Sequence, residues 1–571
     1  IDNEPYDPKA PKIETPAECT VKIIGEELVH SVIKFKLKQY INDHHVLTVH
    51  LRQDVVGDDD IGDPDKFTKF LGESISVEIT PMSDEVDVSA HLEFIGVVTE
   101  VRFENSVDEV NILVITAKSP TISMDGPKKN LLTTDQSVSD IVGSVLSNYQ
   151  ITQGTIDSTP GILKYSVQYR ETDYAYIQRL ASSAGKFAFY DGTEFRFVSA
   201  SSTDEHELMW RELLGSFSLG LGTVSCNFQG ASYNYFDDSE HSDETAQSNS
   251  KTSLSGLTDK SFTASEEIFN EAGYWNDVQV VDDTKGLVDA LENEKARAMG
   301  KMVIGTGQSI VPNVTVGHCV KIEGMDKFNQ QLWVTEVVHI LDKTGKYHNK
   351  FKCVPLDIAY PTNESALTRT LARIQRAVVI DNNDDDAMGR LKVKFPWSDM
   401  ETIWVRYLAP HAGEDRGFFC LPEIGDEVLV AFEEGDPDRP IVIGSLYNKN
   451  TPVPEVADPD NYNKIFKTMG GNQIVFYDEG GAEKIEISHG DGTNSIVLSM
   501  DGPSITITSS GGDITLESNN ITLKADSAIT LESGSDLKVD AGANMELTAG
   551  ATSKIEASAT MDIKGATINL N

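Results

Sequence analysis

"ITLKADSAITLESGSDLKVDAGANMELTAG", residues 521–550, repeats one short pattern within a chain of 571 residues. Pairs of apolar residues, each pair split by one polar residue, recur every eight residues: Ile521/Leu523, Ile529/Leu531, Leu537/Val539 and Met545/Leu547. Such alternation, interrupted by Gly, Asp, Asn and Ser, predicts short β-strands joined by tight turns. A fixed period predicts a stack in which each repeat contacts only its neighbours.

The same pairing continues on both sides of this stretch, at Ile505/Ile507, Ile514/Leu516, Ile555, Met561/Ile563 and Ile568/Leu570. Eight residues are far fewer than the roughly 20–45 of an ordinary solenoid repeat. Two aliphatic side chains per octad also contribute less than the ordering of eight residues costs. Three chains that each supply one face of a prism satisfy both edges of every strand. The repeat therefore predicts a homotrimer, with residues 471–571 as an intertwined triple-stranded β-helix needle.

Composition excludes several classes of function. The net charge of −42 argues against nucleic acid and against anionic membrane surfaces, which both require clustered Lys and Arg. No stretch approaches the ~18 apolar residues of a membrane helix. The five cysteines are Cys19, Cys226, Cys319, Cys353 and Cys420. They lie far apart without a CxxC pair, which predicts buried free thiols of a protein made in the cytosol, not a disulfide framework or zinc site.

The first eighteen residues, Ile1–Glu18, hold four prolines among charges: Pro5, Pro8, Pro11 and Pro16. They contain no apolar h-region, so no signal peptide is expected. This segment is predicted to be an arm, either disordered or docked on a neighbouring chain.

A second module precedes the repeats, at residues 376–450, with a linker predicted at 451–470. Its predicted strands are Leu391–Phe395, Thr402–Tyr407, Glu427–Phe432 and Pro440–Ser445. Short strands separated by turn clusters in about seventy residues suit a small Greek-key barrel of the OB type. The stretch Gly435–Pro440 carries the Gly, Asp and Pro residues of a tight turn.

The stretches "DNNDDDAMGRLKVKFPW", "WVRYLAP" and "GFFCLPEIGDEVLVAFEEGDPDRPIVIGSLYN" in this module closely resemble the OB module of VgrG-type spike proteins. Those proteins belong to contractile injection machines: type VI secretion systems, extracellular injection particles and phage baseplates. The resemblance implies a mainly β fold with a hub, an OB barrel and a C-terminal needle.

The N-terminal half supports the same resemblance. Ile33, Phe35 and Leu37 alternate with Lys34, Lys36 and Lys38, which predicts a half-buried strand. Ile141, Val142, Val145 and Leu146 share one predicted helical face. In "YRETDYAYIQRLASSAGKFAFYDGTEFRF" (169–197), Thr172 is a predicted helix cap, Gly185 suits its C-terminal end, and Asp191-Gly192 signals a hairpin. This stretch and residues 305–355 are similar to the VgrG hub, which implies two β-barrels with an α/β insertion over residues 19–370. Residues 237–264, rich in Ser, Asp and Thr, are predicted to be a long loop insertion.

No catalytic, cofactor or metal site is predicted. GxSxG, HExxH and P-loop motifs are absent from the sequence. The acidic run Asp381–Asp386 lacks the Gly and Glu of an EF-hand and is predicted to be a solvated loop. His339, His348 and Cys353 match no usual zinc spacing, so structural histidines are the better interpretation. The gap between the OB module and the repeats is too short for an enzyme domain, and none is expected after "GATINLN".

The resemblance implies a non-catalytic spike that punctures a target envelope, assembled in the bacterial cytoplasm and delivered outside the cell. It further implies a PAAR-type tip cap, effectors carried through that cap, and tube and baseplate proteins at the hub. The predicted cap contact, by β-augmentation, is Ile568, Asn569, Leu570 and Asn571. Two other classes stay open: a trimeric adhesin or tail fibre, and a carbohydrate-degrading tailspike. The choice between a cell-anchored type VI system and a released particle also stays open.

Overall fold

The structure is a computed structural model that describes residues 14–27, 32–52, 68–82, 86–87, 89–104, 112–245, 254, 256–274, 284–325, 330–362, 370–455 and 459–570. The chain divides into two compact units, Ile1–Pro452 and Val453–Asn571. Among the described residues, strands far outnumber helices, as the predicted mainly β fold requires.

The first part of the chain folds into paired strands that curl into barrels. Its strands up to the first helix are β1 (Thr15–Ile23), β2 (Glu26–Glu27), β3 (Val32–Tyr40), β4 (Val46–Arg52), β5 (Ser74–Pro81), β6 (Leu92–Glu104), β7 (Ile112–Lys118) and β8 (Lys129–Thr133). The next are β9 (Gln153–Ile156), β10 (Ser166–Glu171), β11 (Phe187–Tyr190), β12 (Phe195–Val198), β13 (Glu205–Met209), β14 (Leu214–Leu221), β15 (Phe228–Asn234), β16 (Ser239–Glu244) and β17 (Gly273–Tyr274). The last are β18 (Val303–Ser309), β19 (Cys319–Glu323), β20 (Gln331–Leu341) and β21 (Lys346–Pro355). Helices are α1 (Val138–Leu146), α2 (Asp173–Ser183), α3 (Gly256–Ile268) and α4 (Thr284–Met299), with 3₁₀ turns at Pro120–Met124 and Leu356–Ile358.

The long hairpin β20–β21 belongs to both barrels. In the first barrel the strands follow the order β1-β5-β6-β7-β4-β3-β20-β21, and Thr15 opposite Tyr347 joins β1 back to β21. In the second the order is β13-β19-β20-β21-β18-β14, and a bridge between Trp210 and Leu214 links its two ends. The predicted pair of β-barrels is confirmed.

Each barrel has its own apolar core. Phe35 and Leu37 on β3 lie in the core of the first barrel and the lysine between them is exposed, so the predicted alternation is confirmed there. Ile33 is only partly buried, because the register of β3 against β4 shifts between Val32 and Lys34. Trp333 and Phe351 lie in the core of the second.

The predicted α/β insertion lies between β7 and β13. Helices α1 and α2 pack with β9, β11 and β12 around Ile141, Ile177 and Phe195. The Thr172 side chain accepts a 3.2 Å hydrogen bond from the Ala175 N–H, which confirms the helix cap. Gly185 has φ +66°, the left-handed conformation in which glycine ends helices. The two-residue hairpin loop expected at Asp191-Gly192 is instead a turn of four residues, 191–194, between the paired Tyr190 and Phe195. Asp191 Oδ1 accepts from the backbone N–H groups of both Thr193 and Glu194.

Two predicted boundaries are wrong in the N-terminal unit. Residues 237–264 are not a loop throughout: β16 pairs with β15 in antiparallel register, and most of α3 lies in this range. Helix α4 packs on that hairpin through Leu287 and Leu291, so the polar hairpin has a covered face. The predicted arm 1–18 overlaps β1, whose residues 15–18 pair with β5 or β21, and residues 1–13 lie outside the described part.

The OB module has the strands β22 (Gln375–Asp381), β23 (Lys392–Lys394), β24 (Arg406–Tyr407), β25 (Ala412–Gly413), β26 (Arg416–Gly417), β27 (Glu427–Phe432) and β28 (Pro440–Ser445), with a 3₁₀ turn at Glu433–Gly435. Five of them form a sheet in the order β23-β22-β27-β28-β24. An antiparallel bridge from Leu391 to Val405 connects its two ends, which closes the predicted barrel around Val379, Val393 and Val430.

The second unit begins with an antiparallel five-stranded meander: β29 (Asn463–Lys467), β30 (Asn472–Tyr477), β31 (Lys484–His489), β32 (Asn494–Ser499) and β33 (Ser504–Ser509). The predicted linker 451–470 is therefore wrong at its end, because β29 pairs with β30; residues 456–458 lie outside the described part. The sequence predicts a needle that begins at residue 471 and is intertwined throughout. Its strands up to Ser509 instead pair with one another within one chain.

Candidate assembly surfaces

Residues 511–570 form a ribbon of extended segments that bends at regular intervals. The bends fall at residues 511–512, 519, 526–527, 534–535, 542–543, 550–551, 558–559 and 566. Consecutive bends are seven or eight residues apart, so the octad of the sequence is also the repeat of the backbone path. Each extended segment carries one apolar pair, except 552–557, where Ile555 is the one large apolar residue.

This ribbon buries neither its apolar pairs nor its backbone within one chain. Relative exposure is 69% at Leu516, 77% at Leu547 and 89% at Leu570. After Ser510, whose N–H donates to Thr493, the described residues 511–570 make no backbone–backbone hydrogen bond. Peptide groups in folded proteins nearly always find a partner. The ribbon therefore offers both an apolar stripe and unpaired strand edges.

The predicted cap contact lies in the last extended segment. Ile568, Asn569 and Leu570 are exposed and follow the bend at Ala566. Asn571 lies outside the described residues. The peptide groups of the three described residues can accept an added strand, so the cap contact stays a prediction.

The meander β29–β33 has one apolar face. Two rows of directly opposed residues cross all five strands on that face: Phe466, Ile474, Ile487, Ile496 and Ile507 in one row, and Lys464, Phe476, Ile485, Leu498 and Ile505 in the other. We call these two rows the apolar ladder. Relative exposure is 46% at Ile487, 56% at Ile507 and 72% at Ile505. The opposite face carries polar contacts, such as the 2.9 Å ion pair between Lys484 and Glu486.

The OB barrel docks on the hub through polar and aromatic contacts. The Asp438 carboxylate, in the turn between β27 and β28, accepts a 2.7 Å hydrogen bond from the Val167 N–H on β10. The Arg406 guanidinium lies 4.9 Å from the centre of the Tyr235 ring, which belongs to the β15–β16 turn. Apolar contacts surround them, with Tyr165 and Tyr169 near Trp397. These contacts hold the barrel to the hub.

The acidic run at 381–386 is organised by an arginine. Arg390 donates to Asp384 at 2.6 and 2.9 Å and to Asp386 at 2.5 Å, and its guanidinium lies over the Phe236 ring. The hydrogen bonds from Arg390 lower the pKa of Asp384 to about 2. The Asp384 side chain is only 2% exposed, so the prediction of a solvated loop is wrong at this residue.

His339 is a core histidine. Its Nε2 lies 3.0 Å from Gln39 Oε1 and its Nδ1 lies 2.7 Å from the Tyr347 hydroxyl. Since Gln39 Oε1 can only accept, Nε2 carries the proton and Nδ1 accepts from Tyr347. Burial lowers the pKa of His339 to about 3. Among the residues described, no group of three His, Cys, Asp or Glu side chains is placed to hold a metal ion.

The thiols differ from the prediction at one position. Cys19, Cys226, Cys319 and Cys353 are buried, and burial raises the pKa of Cys19 to about 12. Cys420 is exposed, because it follows the short β25–β26 hairpin, whose residues are exposed. None of the helices that the structure describes is long and apolar enough to cross a membrane.

Sequence reasoning missed the hub–OB contacts. Gly435–Pro440 signals a turn, and the structure shows one, with Asp436 Oδ1 accepting from the Asp438 N–H at 2.9 Å. Nothing local shows that Asp438 binds a strand 271 residues away. The aromatic residues Tyr235 and Phe236 between polar residues are the only signal of a contact there.

Two family models match the chain. The model described as the phage tail baseplate hub matches residues 58–345, just over half of the chain. The model described as the type VI secretion system/phage-baseplate injector OB domain matches residues 375–447, which include the whole closed barrel.

Named relatives match over shorter segments. The type VI secretion system spike protein VgrG3 of Vibrio cholerae serotype O1 is 32% identical over 154 residues, which are 24% of this chain and 15% of that protein. The actin cross-linking toxin VgrG1 of the same species is 28% identical over 207 residues, 32% of this chain and 19% of the toxin. The chain thus spans less than a fifth of the length of these curated relatives.

A solved structure shares the fold. In the half-lidded Francisella PdpA–VgrG complex, one chain matches with a TM-score of 0.54 at 8% identity, over 87% of this chain and 88% of that chain.

Proposed function

The chain belongs to the phage tail baseplate hub family and carries the OB domain of type VI and phage-baseplate injectors, and from this premise we propose that three copies form a hub and needle that puncture a target envelope. As a spike it is a structural component of a contractile machine. The observation that carries the needle proposal is the ribbon 511–570, which makes no backbone–backbone hydrogen bond within one chain and leaves its apolar pairs exposed.

Three chains complete what one chain leaves open. Each octad supplies one short strand to one face of a triangular prism, and octads of the other two chains supply the remaining faces. Stacked layers then pair every strand on both edges and turn the apolar residues toward a common axis. We call the prism that three ribbons would form the shaft. Burial of a Leu or Ile side chain contributes about 1.5–3 kcal/mol, so the apolar interior stabilises the shaft in proportion to its length.

The proposed action is mechanical. A needle driven by an external contracting sheath needs stiffness, and closed layers of short strands supply it. Between Asn472 and Asn571 the chain has fifteen Asp and Glu residues against five Lys, so the shaft surface is anionic and has little affinity for lipid. We assign no catalytic residue to the hub, the OB barrel or the shaft.

Partners follow from the two ends of the molecule. We propose that the hub barrels bind tube and baseplate proteins, and that a PAAR-type cap binds the exposed strand at Ile568–Leu570. Effectors would be carried through that cap. The protein would be assembled in the bacterial cytoplasm and leave it on contraction.

The mass of the purified chain tests this proposal. Native mass spectrometry should give a species of three times the 62.5 kDa chain mass. A mass of one or two chains at micromolar concentration would refute the trimeric needle. Delivery is tested separately, by deleting the gene in a bacterium that carries the machine: loss of target-cell damage, restored by the wild-type gene, is the expected result.

A further inference from the structure

The meander β29–β33 and the ribbon after it both expose apolar side chains, but they differ in how their backbone groups are paired. In the meander every strand pairs with a neighbour of its own chain, from Phe466 opposite Ile474 to Ile496 opposite Ile507. In the ribbon no strand does. The change comes at Gly511, whose φ of +93° lies in the region that glycine favours. Before this glycine, chains can therefore meet through the side chains of the sheet face, with backbone pairing possible only at the outer edges of β29 and β33. After it, every extended segment is open to backbone pairing with another chain.

The apolar ladder suits a second copy of the same chain. An antiparallel sheet with one apolar face needs a cover on that face. Between described residues 459 and 570 the other available element is the ribbon, which is itself exposed. The ladder contains no Asp or Glu, although the chain carries a net charge of −42. Copies that repel one another elsewhere can meet here without bringing carboxylates together.

Continuity along the chain points to the same occupant. The pair Ile505/Ile507 ends the ladder, and Ile514/Leu516 begins the exposed pairs of the ribbon with the same spacing of two residues. A face that is apolar from β29 to the ribbon requires one common axis, which is the axis of the trimer proposed above.

A shaft of identical octads has a difficulty that the meander removes. If one chain slips by eight residues, most apolar pairs still face another apolar pair, so the shaft alone specifies register weakly. The meander is not periodic in this way: its last four strands begin at residues 472, 484, 494 and 504, and its ladder holds Phe466 and Phe476 among aliphatic residues. A slip there would misplace large side chains.

We propose that the meander is the register-setting element of the assembly: three copies pack their apolar ladders face to face, and this contact aligns the octads before they intertwine. The inference rests on the trimer of the proposed function and adds where and how the chains find their alignment.

A matched pair of substitutions tests it. Ile496→Asp places a charge on the apolar ladder, and Val497→Asp places the same charge on the next residue of the same strand, on the opposite face. Both substitutions are made in the full chain, in a background in which Cys420→Ser removes the exposed thiol. In the same background Thr530→Cys, in the shaft, carries a nitroxide spin label, so that the distances between the labels of the three chains can be measured. The unsubstituted background and the V497D protein should give trimers with one sharp interlabel distance. The I496D protein should give several distances or no trimer.

Cysteine accessibility provides a second measurement that does not require a destabilised protein. In the C420S background, Ile496→Cys should react with a maleimide about tenfold more slowly than Val497→Cys, because a buried thiol is poorly accessible. A single interlabel distance for the I496D protein would overturn the register role. Equal labelling rates of the two cysteine variants in an aligned trimer would also overturn it, because the apolar ladder would then not be covered by the other two chains. A background protein that is not a trimer would instead refute the proposed function.

Discussion

The Asp438 carboxylate of the OB barrel accepts a 2.7 Å hydrogen bond from the backbone N–H of Val167 in the hub insertion. The two residues are 271 positions apart in the chain, and the contact lies among Tyr165, Tyr169 and Trp397. A backbone donor cannot rotate away as a side chain can, so this bond fixes where the turn 435–440 lies on β10. In the proposed needle, the hub would transmit axial force through such contacts.

Removing this carboxylate should loosen the OB barrel from the hub. Asp438→Ala removes the carboxylate that accepts the 2.7 Å hydrogen bond from the Val167 N–H, which should lower the free energy of unfolding by about 1–3 kcal/mol. The measurement is urea unfolding, with protease cleavage at residues 370–374, which precede β22, as a second readout. The exposed Asp385→Ala is the control, since it removes a carboxylate from the same domain. Equal stability of D438A and D385A would contradict a structural role for the contact.

The Asp384–Arg390 pair predicts a stability change in strong acid. Arg390 holds the pKa of Asp384 at about 2 in the folded protein, against about 3.9 in an unfolded chain. Between these values the unfolded chain binds more protons, so the contribution is complete above pH 4 and is lost as the pH falls toward 2. Asp384→Asn should destabilise the protein at pH 7 by about 2 kcal/mol, and the difference from wild type should vanish near pH 2. Asp385→Asn serves as the control; a constant difference across this range would rule out the ion pair as its source.

Buried neutral histidines predict a second pH dependence of stability, at higher pH. Burial lowers the pKa of His339 and of His45 to about 3 each, while an unfolded histidine has a pKa of about 6.5. Between those values the unfolded chain binds the extra protons, so stability falls as the pH falls, by about 1.4 kcal/mol per pH unit for each histidine. His339→Gln should remove one such contribution from the slope between pH 6 and 4. Exposed His411→Gln is the control, and an unchanged slope in H339Q would show that His339 is not held neutral.

Local signals explain which parts of the fold could be predicted. The alternation of Phe35 and Leu37 with lysines, and the Thr172 cap, depend on residues within one strand or one turn. β27 and β28 begin and end at the predicted residues, because Gly and Asp lie on both sides of β27 and before β28, and the asparagines Asn448 and Asn450 come after β28. In each case residues within about ten positions determine the local structure, and packing in the core stabilises it further.

The meander was not predicted, for a physical reason. Ile505 and Ile507 have the same spacing as the octad pairs, so periodicity alone does not separate a hairpin within one chain from a layer shared by three. Asp491-Gly492 and Asp501-Gly502 are the local marks of hairpins, and both fall in turns of the meander. The Asp438–Val167 contact had no local mark, because it depends on how two domains meet.

The octad pairs supply the most direct test of the shaft. In "ITLESG", Leu531 belongs to an apolar pair and Thr530 is its neighbour on the opposite side of the strand. Leu531→Asp in a trimer brings three carboxylates to the axis and removes three buried leucines, at a cost of about 1.5–3 kcal/mol for each lost side chain in addition to the charge. Thr530→Asp adds the same charges to the outer surface. L531D should therefore make residues 513–570 cleavable by protease at temperatures where wild type and T530D resist, because one broken layer exposes its neighbours. Equal resistance of the two variants would mean that Leu531 does not face an axis, and that these octads are stabilised by something other than two further copies of the chain.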